Sequence, residues 1–208
     1  MSSVLIVDDH PVIRAAVKMV LEQERFTVIL EASTGVEAVQ MIREHSPDLV
    51  ILDLDIPNLD GLDVLSRIKA SGASNRVLVF TAKAAQFYVS RCMREGALGY
   101  IAKTNDLQEL RKAVQAIMNN YSYFPRLPES SVSMNDVQRS ELQMIESLSD
   151  RELSIFQCLA RGSSNKDIAE AMLLSHKTVS TYKTRLIEKL NVKSLVHLRD
   201  FAKRNQLI

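Results

Sequence analysis

Two runs of four apolar residues, Val4-Leu5-Ile6-Val7 and Leu49-Val50-Ile51-Leu52, each end in carboxylate: Asp8 and Asp9 follow the first, Asp53 the second. A strand that is apolar at every position has no face to give to water. Both runs therefore read as strands buried on two sides, the condition of a parallel sheet covered by helices. In an open sheet of that kind the ligand crevice lies beyond the C-terminal strand ends, where strand order reverses. Strands with these endings deliver three acids to one pocket. Crowded carboxylates raise one another's pKa or recruit a cation, and an all-oxygen donor set suits Mg²⁺, with water and phosphate oxygens completing its shell.

Strand-like and helix-like segments alternate along the rest of the first 120 residues. Pro11 stands where a first helical position favours proline, and Ile13, Ala16, Val17, Val20 and Leu21 recur at helical spacing. A second strand near 27–31 precedes a helix over about 35–44. Another helix follows Asp60-Gly61, with Leu62, Leu65 and Ile68 inward. A strand over 77–80 ends at Thr81 and one over 99–102 ends at Lys103; the last helix carries Leu107, Leu110, Val114 and Ile117. Five such units predict an α/β fold, a five-stranded doubly wound parallel sheet whose strand ends present Asp8-Asp9, Asp53, Thr81 and Lys103. His10, directly before Pro11, reads as a helix start rather than a metal ligand, and the methionines read as core filler.

A formal charge of +1 hides an asymmetry: residues 1–120 hold 13 basic and 15 acidic side chains, residues 148–208 hold 11 and 6. The basic C-terminal piece points to a polyanion, of which nucleic acid is the commonest. Cys92 and Cys158 fall on apolar helix faces of different domains and read as buried thiols of a reducing cytosol. No apolar run approaches the length of a membrane span, and the start leads into a strand without a basic leader, so a cytoplasmic protein with no membrane partner is expected.

Residues 121–147 read as a linker, marked by Pro125, Pro128 and a serine-rich stretch at 130–133, although Leu142, Met144 and Ile145 can begin a short helix. The aromatic run Tyr121-Ser122-Tyr123-Phe124 can pack on either neighbouring domain. Residues 148–208 read as a small all-α domain of four helices. Ser149 or Asp150 caps the first, Gly162 ends it, Ser164 opens a short second, and Ser175 caps a third running to about Leu190. Two helices joined by Leu173-Leu174-Ser175 form a helix-turn-helix. In the third helix Val179, Tyr182, Leu186 and Leu190 keep the inner face. That leaves Lys177, Thr178, Ser180, Thr181, Lys183, Thr184 and Arg185 to meet a major groove, where hydroxyls and threonine methyls touch base edges and cations hold phosphates or guanine. The fourth helix, with Leu195, Leu198, Phe201 and Ala202 at helical spacing, reads mainly as closing the small core.

The ordered set of residues 1–120, an acidic pair after the first strand, aspartate after the third, Thr81-Ala82 after the fourth and Lys103 after the fifth, resembles the receiver domain of bacterial two-component response regulators. That resemblance implies a flavodoxin-like fold in which Asp53 accepts a phosphoryl group. It also implies Mg²⁺ held by Asp9 directly, by Asp8 through water, by Asp53, and by Asp55 through its backbone carbonyl, with Lys103 neutralising the transferred group. The Thr81 hydroxyl would then turn to a phosphoryl oxygen, with Tyr100 rotating inward behind it. Thr104 stands where many receivers carry proline. Leu148-Ser149-Asp150-Arg151-Glu152, Gly162, Asn165-Lys166-Asp167-Ile168-Ala169, Leu174-Ser175, Thr178-Val179 and Lys189-Leu190 resemble the LuxR-type DNA-binding domain, with Tyr182 where that family usually has histidine. As a whole the chain resembles NarL-type response regulators, most closely the virulence and acid-resistance regulators among them. This implies a sensor histidine kinase, including the hybrid kind with a phosphotransfer domain, as phosphodonor. It further implies promoter DNA bound as a homodimer, RNA polymerase as a partner, and no enzymatic turnover. Two other classes are distinguishable: Asp53-Leu54-Asp55 also resembles the DxD of aspartyl-phosphate phosphatases, and a receiver that never switches would be an interaction module.

Overall fold

The computed structural model describes residues 2–103, 106–126 and 136–208; Thr104, Pro128 and the serine-rich stretch at 130–133 lie outside the described residues. Two compact units divide at Arg126 and Leu127. The first holds strands β1 (Ser2–Val7), β2 (Phe26–Ala32), β3 (Leu49–Leu52), β4 (Arg76–Thr81) and β5 (Gly99–Ala102), and helices α1 (Pro11–Glu22), α2 (Gly35–His45), α3 (Gly61–Ala70), α4 (Ala85–Arg94) and α5 (Leu107–Met118). All strands pair in parallel in the order β2-β1-β3-β4-β5. The chain leaves β1 for β2 on one side and returns to β3 on the other, so strand order reverses between β1 and β3. The crevice is therefore beyond Val7 and Leu52, which are register partners.

Every residue of β3 and the last four of β1 are buried, as uniformly apolar runs require. Each such side chain contributes about 1.5–3 kcal/mol on burial, which anchors the two strand ends where carboxylates must be held out of water. Two glycines tighten the loop after β3. A Cβ on Gly61 would collide with the Asp53 carbonyl and the Leu54 backbone, and one on Gly35 with the Leu59 backbone. Thr34 caps α2 by accepting from the Glu37 amide at 3.1 Å, and Asp60 caps α3 by accepting from the Asp63 amide at 2.9 Å. The aromatic run after α5 belongs to this unit. The Tyr123 amide donates to Leu98 O at 2.9 Å and its carbonyl accepts from the Tyr100 amide at 2.8 Å, which covers part of the β5 edge.

The second unit holds α6 (Asp136–Glu146), α7 (Asp150–Arg161), α8 (Asn165–Ala171), α9 (His176–Lys189) and α10 (Leu195–Arg204). Ser149 and Glu152 form a reciprocal capping box on α7, and Gly162 ends that helix at φ 95°. The span read as a tether thus carries a helix of three turns, whose Glu141 carboxylate bonds both Arg204 and Asn205 at 2.7 Å. Phe156 and Phe201 meet edge to face at 6.1 Å in a core closed by Leu153, Val179, Leu186 and Leu198.

Met19, Met93, Cys158 and Leu195 differ from the sequence expectation. Met19 and Met93 are exposed, each one position from a buried neighbour, Val20 and Cys92, and so rotated about 100° off the core face. Cys158 is only half-buried, whereas Cys92 is fully enclosed. Leu195, at the first position of α10, projects past the end of the core that Leu198, Phe201 and Ala202 close.

Candidate functional site

Three backbone bonds draw the strand ends of the first unit together. The Asp53 amide donates to Val7 O at 2.9 Å, the Asp8 amide to Ala32 O at 3.1 Å, and the Lys103 amide to Thr81 O at 2.7 Å. As a result Asp8, Asp53 and Thr81 are buried, with exposures of 2, 3 and 0 %, while Asp9 and Asp55 remain exposed. The Lys103 ammonium lies 2.6 Å from Oδ2 of Asp8 and 2.6 Å from Oδ2 of Asp53. Burial works against its charge, but the bonds to Asp53 and Asp8 outweigh that and hold its pKa above the ordinary lysine value. Oδ1 of Asp53 is one of two buried side-chain oxygens without a hydrogen-bond partner among the described residues. A buried carboxylate oxygen left unbonded is costly and points to a missing cation or reacting group.

Arg14 fixes the end of β1 by donating to Asp8 O at 2.8 Å. His10, read from sequence only as a helix start, does begin α1, and its Nδ1 also lies 2.6 Å from Oδ1 of Asp9. Asp8, Asp9 and His10 thus form a cluster whose ligand atoms lie within 4.8 Å of one another. Lys83 carries no sequence signal. Its ammonium is 3.2 Å from Oδ1 of Asp55, its amide donates to the Thr81 hydroxyl at 3.3 Å, and its carbonyl accepts from the Tyr100 hydroxyl at 2.7 Å. Tyr100 is already inside the fold, and burial raises its phenol far above the ordinary range.

In the second unit α8 and α9 form the expected helix-turn-helix, with Leu173 at φ 52° in the turn and Ser175 capping α9 by accepting from the Thr178 amide at 3.0 Å. Val179, Leu186 and Leu190 are buried; Lys177, Ser180, Thr181, Thr184 and Arg185 are exposed, and Thr178 and Lys183 are half-buried. Tyr182 departs from the inner face assigned to it. It is half-buried and lines a groove of about 300 Å³ with Ser175, Lys177, Thr178, Thr181 and Arg185. Lys189, at the far end of α9, is 2.8 Å from the Glu152 carboxylate, tying the helix to the α7 cap.

Residues 4–115 match the response regulator receiver domain, and residues 146–202 match the luxR family of bacterial regulatory proteins. The chain belongs to the response regulators that join these two domains. It is 48 % identical over 206 residues to BvgA of Bordetella pertussis, a virulence factors putative positive transcription regulator, with 99 % of each chain covered. It is 38 % identical over 203 residues to the DNA-binding transcriptional activator EvgA of Escherichia coli K12, with 98 % of each covered. The RcsB response regulator of Salmonella typhimurium shares the fold, with a TM-score of 0.74 at 24 % identity over 98 % of both chains. The protein is therefore a transcriptional response regulator with a receiver domain, which implies a kinase partner, and a LuxR-type DNA-binding domain. None of its described helices is long and apolar enough to cross a membrane.

Proposed function

We propose that Asp53 is the phosphoacceptor of this regulator and that its phosphorylation strengthens promoter binding through α9. The observation that carries the reading is the Lys103 ammonium at 2.6 Å from both Asp8 and Asp53, beside an unbonded Asp53 Oδ1. A carboxylate attacks phosphorus only when the charge of the incoming group is neutralised, and a cation fixed at that distance is preorganised to do so. Oδ1 of Asp53 forms the O–P bond as the P–N bond of a phosphohistidine breaks, and the leaving imidazole nitrogen takes up a proton. The product is an acyl phosphate.

The residues present fit a divalent cation: carboxylate oxygens at Asp8, Asp9 and Asp53 with the Asp55 carbonyl, two of the carboxylates buried and one oxygen unbonded, and the His10 ring bonded to Asp9 rather than counted as a donor. Mg²⁺ bound there supplies further neutralisation of phosphoryl oxygens. The added dianion draws the Thr81 hydroxyl. Because Thr81 and Tyr100 are bonded to the amide and carbonyl of Lys83, movement at the hydroxyl is transmitted to the buried phenol. The donor is a sensor histidine kinase, including the hybrid type with a phosphotransfer domain. DNA recognition is by a homodimer that sets two copies of α9 about one DNA turn apart on an inverted repeat. Lys177, Lys183 and Arg185 hold phosphates or guanine, and Thr178, Ser180, Thr181 and Thr184 meet base edges. The regulator works in the cytoplasm and acts on RNA polymerase at the promoter.

Incubation with acetyl phosphate and Mg²⁺ should label the wild type and leave Asp53→Asn unlabelled. Equal labelling of both would assign the acceptor to another residue.

A further inference from the structure

The threonines of α9 carry information beyond general DNA contact. Thr181 Oγ1 donates to Lys177 O at 3.0 Å and Thr184 Oγ1 donates to Ser180 O at 3.3 Å, and both residues are exposed. A hydroxyl has one hydrogen, so each threonine has its donor engaged by its own helix and turns only oxygen lone pairs and a methyl group outward. In this arrangement the surface donates to none of guanine O6 or N7, adenine N7 or thymine O4. It can accept from an amino group and pack against a methyl. Among the base pairs, T·A offers both in the major groove, the thymine C5-methyl and the adenine N6 amino group, whereas C·G offers an amino group and no methyl. Helix α9 contains neither asparagine nor glutamine, so the usual bidentate adenine readers are absent from it. The two threonines are three residues apart, about 4.5 Å along the helix axis at roughly 1.5 Å per residue. That is close to the roughly 3.4 Å between successive bases of one strand.

Resting on the proposal that α9 enters the major groove, we infer that Thr181 and Thr184 specify two neighbouring T·A base pairs in each half-site through their methyl groups. Lys177 and Arg185, on either side of Thr181 on the same exposed face, supply the flanking cationic contacts.

The test uses the full-length regulator with acetyl phosphate and Mg²⁺. Duplexes are selected from a random pool, and the chosen site is then rebuilt with deoxyuridine in place of single thymines, which removes only the C5-methyl. Wild-type affinity should fall about fourfold at each of two adjacent thymines, the worth of one methyl group returned to water. Thr181→Ser should lose sensitivity to one of these replacements and Thr184→Ser to the other. Thr181→Val and Thr184→Val, which keep the methyl, should remain sensitive. Selected sites that are indifferent to deoxyuridine, or serine variants as sensitive as the wild type, would overturn the inference and leave the DNA reading standing. Failure of the wild type to select any sequence would overturn both.

Discussion

The acidic pocket and the outer face of α9 are both built from charged and hydroxyl side chains, yet they obey opposite physics. In the pocket Asp8, Asp53 and Thr81 are buried and Lys103 is pinned between two carboxylates. Each charge there is tolerated only because another is beside it, so the geometry is part of the stability of the fold. On α9 the cations and hydroxyls face water, and the helix is held by Val179, Leu186 and its Ser175 cap instead. The pocket therefore couples chemistry to stability, while the helix face leaves the side chains proposed to meet DNA independent of the fold that carries them.

The sharpest way to break this contrast is Lys103→Met. Removing one partner of a buried charge cluster leaves the other charges uncompensated, and a loss of about 3–5 kcal/mol in urea unfolding is expected without added cation. Mg²⁺ should recover more stability in the variant than in the wild type, because the carboxylates are no longer occupied by the ammonium. Unchanged stability would mean the pocket is no more coupled than the surface helix. Gly61→Ala should cost about 1–3 kcal/mol by pushing the Asp53 carbonyl and Leu54 backbone, and should also slow phosphorylation by acetyl phosphate.

Two ionisable groups sharpen the comparison through pH. Lys103 has a raised pKa, so its contribution is complete below the ordinary lysine value of 10.5 and is lost as pH rises through the folded value. Burial works against the charged form of Glu152, but the bonds from Lys189 and Ser149 outweigh it and leave its pKa lowered. Its contribution is present above the ordinary value of 4.5 and is lost as pH falls through the lower folded value. Glu152→Gln should therefore cost the second unit about 1 kcal/mol at neutral pH and flatten the acid limb of its unfolding profile. A variant profile parallel to the wild type in acid would remove that role. The smallest effect on stability is expected for Lys177→Ala, within about 0.5 kcal/mol. Its DNA affinity should nevertheless drop, with the slope of log affinity against log salt reduced by about one if it meets a phosphate.

The same contrast explains what the sequence disclosed. Strands β1 and β3 and the residues that close them could be read directly, because burial on both faces leaves an uninterrupted apolar run and the carboxylates mark its end. Strand β2, with a mixed burial pattern at the sheet edge, extends one residue further at each end than its alternation indicated. Helix α4 has no side-chain cap to announce it. Helix α6 follows a proline- and serine-rich stretch, and among its described side chains only Ile145 is buried, so composition alone points to a tether. His10 is legible as a helix start, but its approach to Asp9 depends on loop geometry that spacing does not give; the role of Lys83 arises only where separate loops meet. Lys83 reaches a carboxylate 28 positions earlier in the chain. Spacing alone places Tyr182 inward, whereas it lies at the margin of the core, where helical periodicity does not decide between floor and wall of a groove.

Chemistry at Asp53 is proposed to change binding at α9. Binding of the wild type and Asp53→Asn to a selected promoter duplex, each with and without acetyl phosphate and Mg²⁺, tests it most directly. Donor-dependent strengthening in the wild type and none in the variant is the predicted result. Equal strengthening in both, or no strengthening in a wild type that is demonstrably phosphorylated, would contradict it.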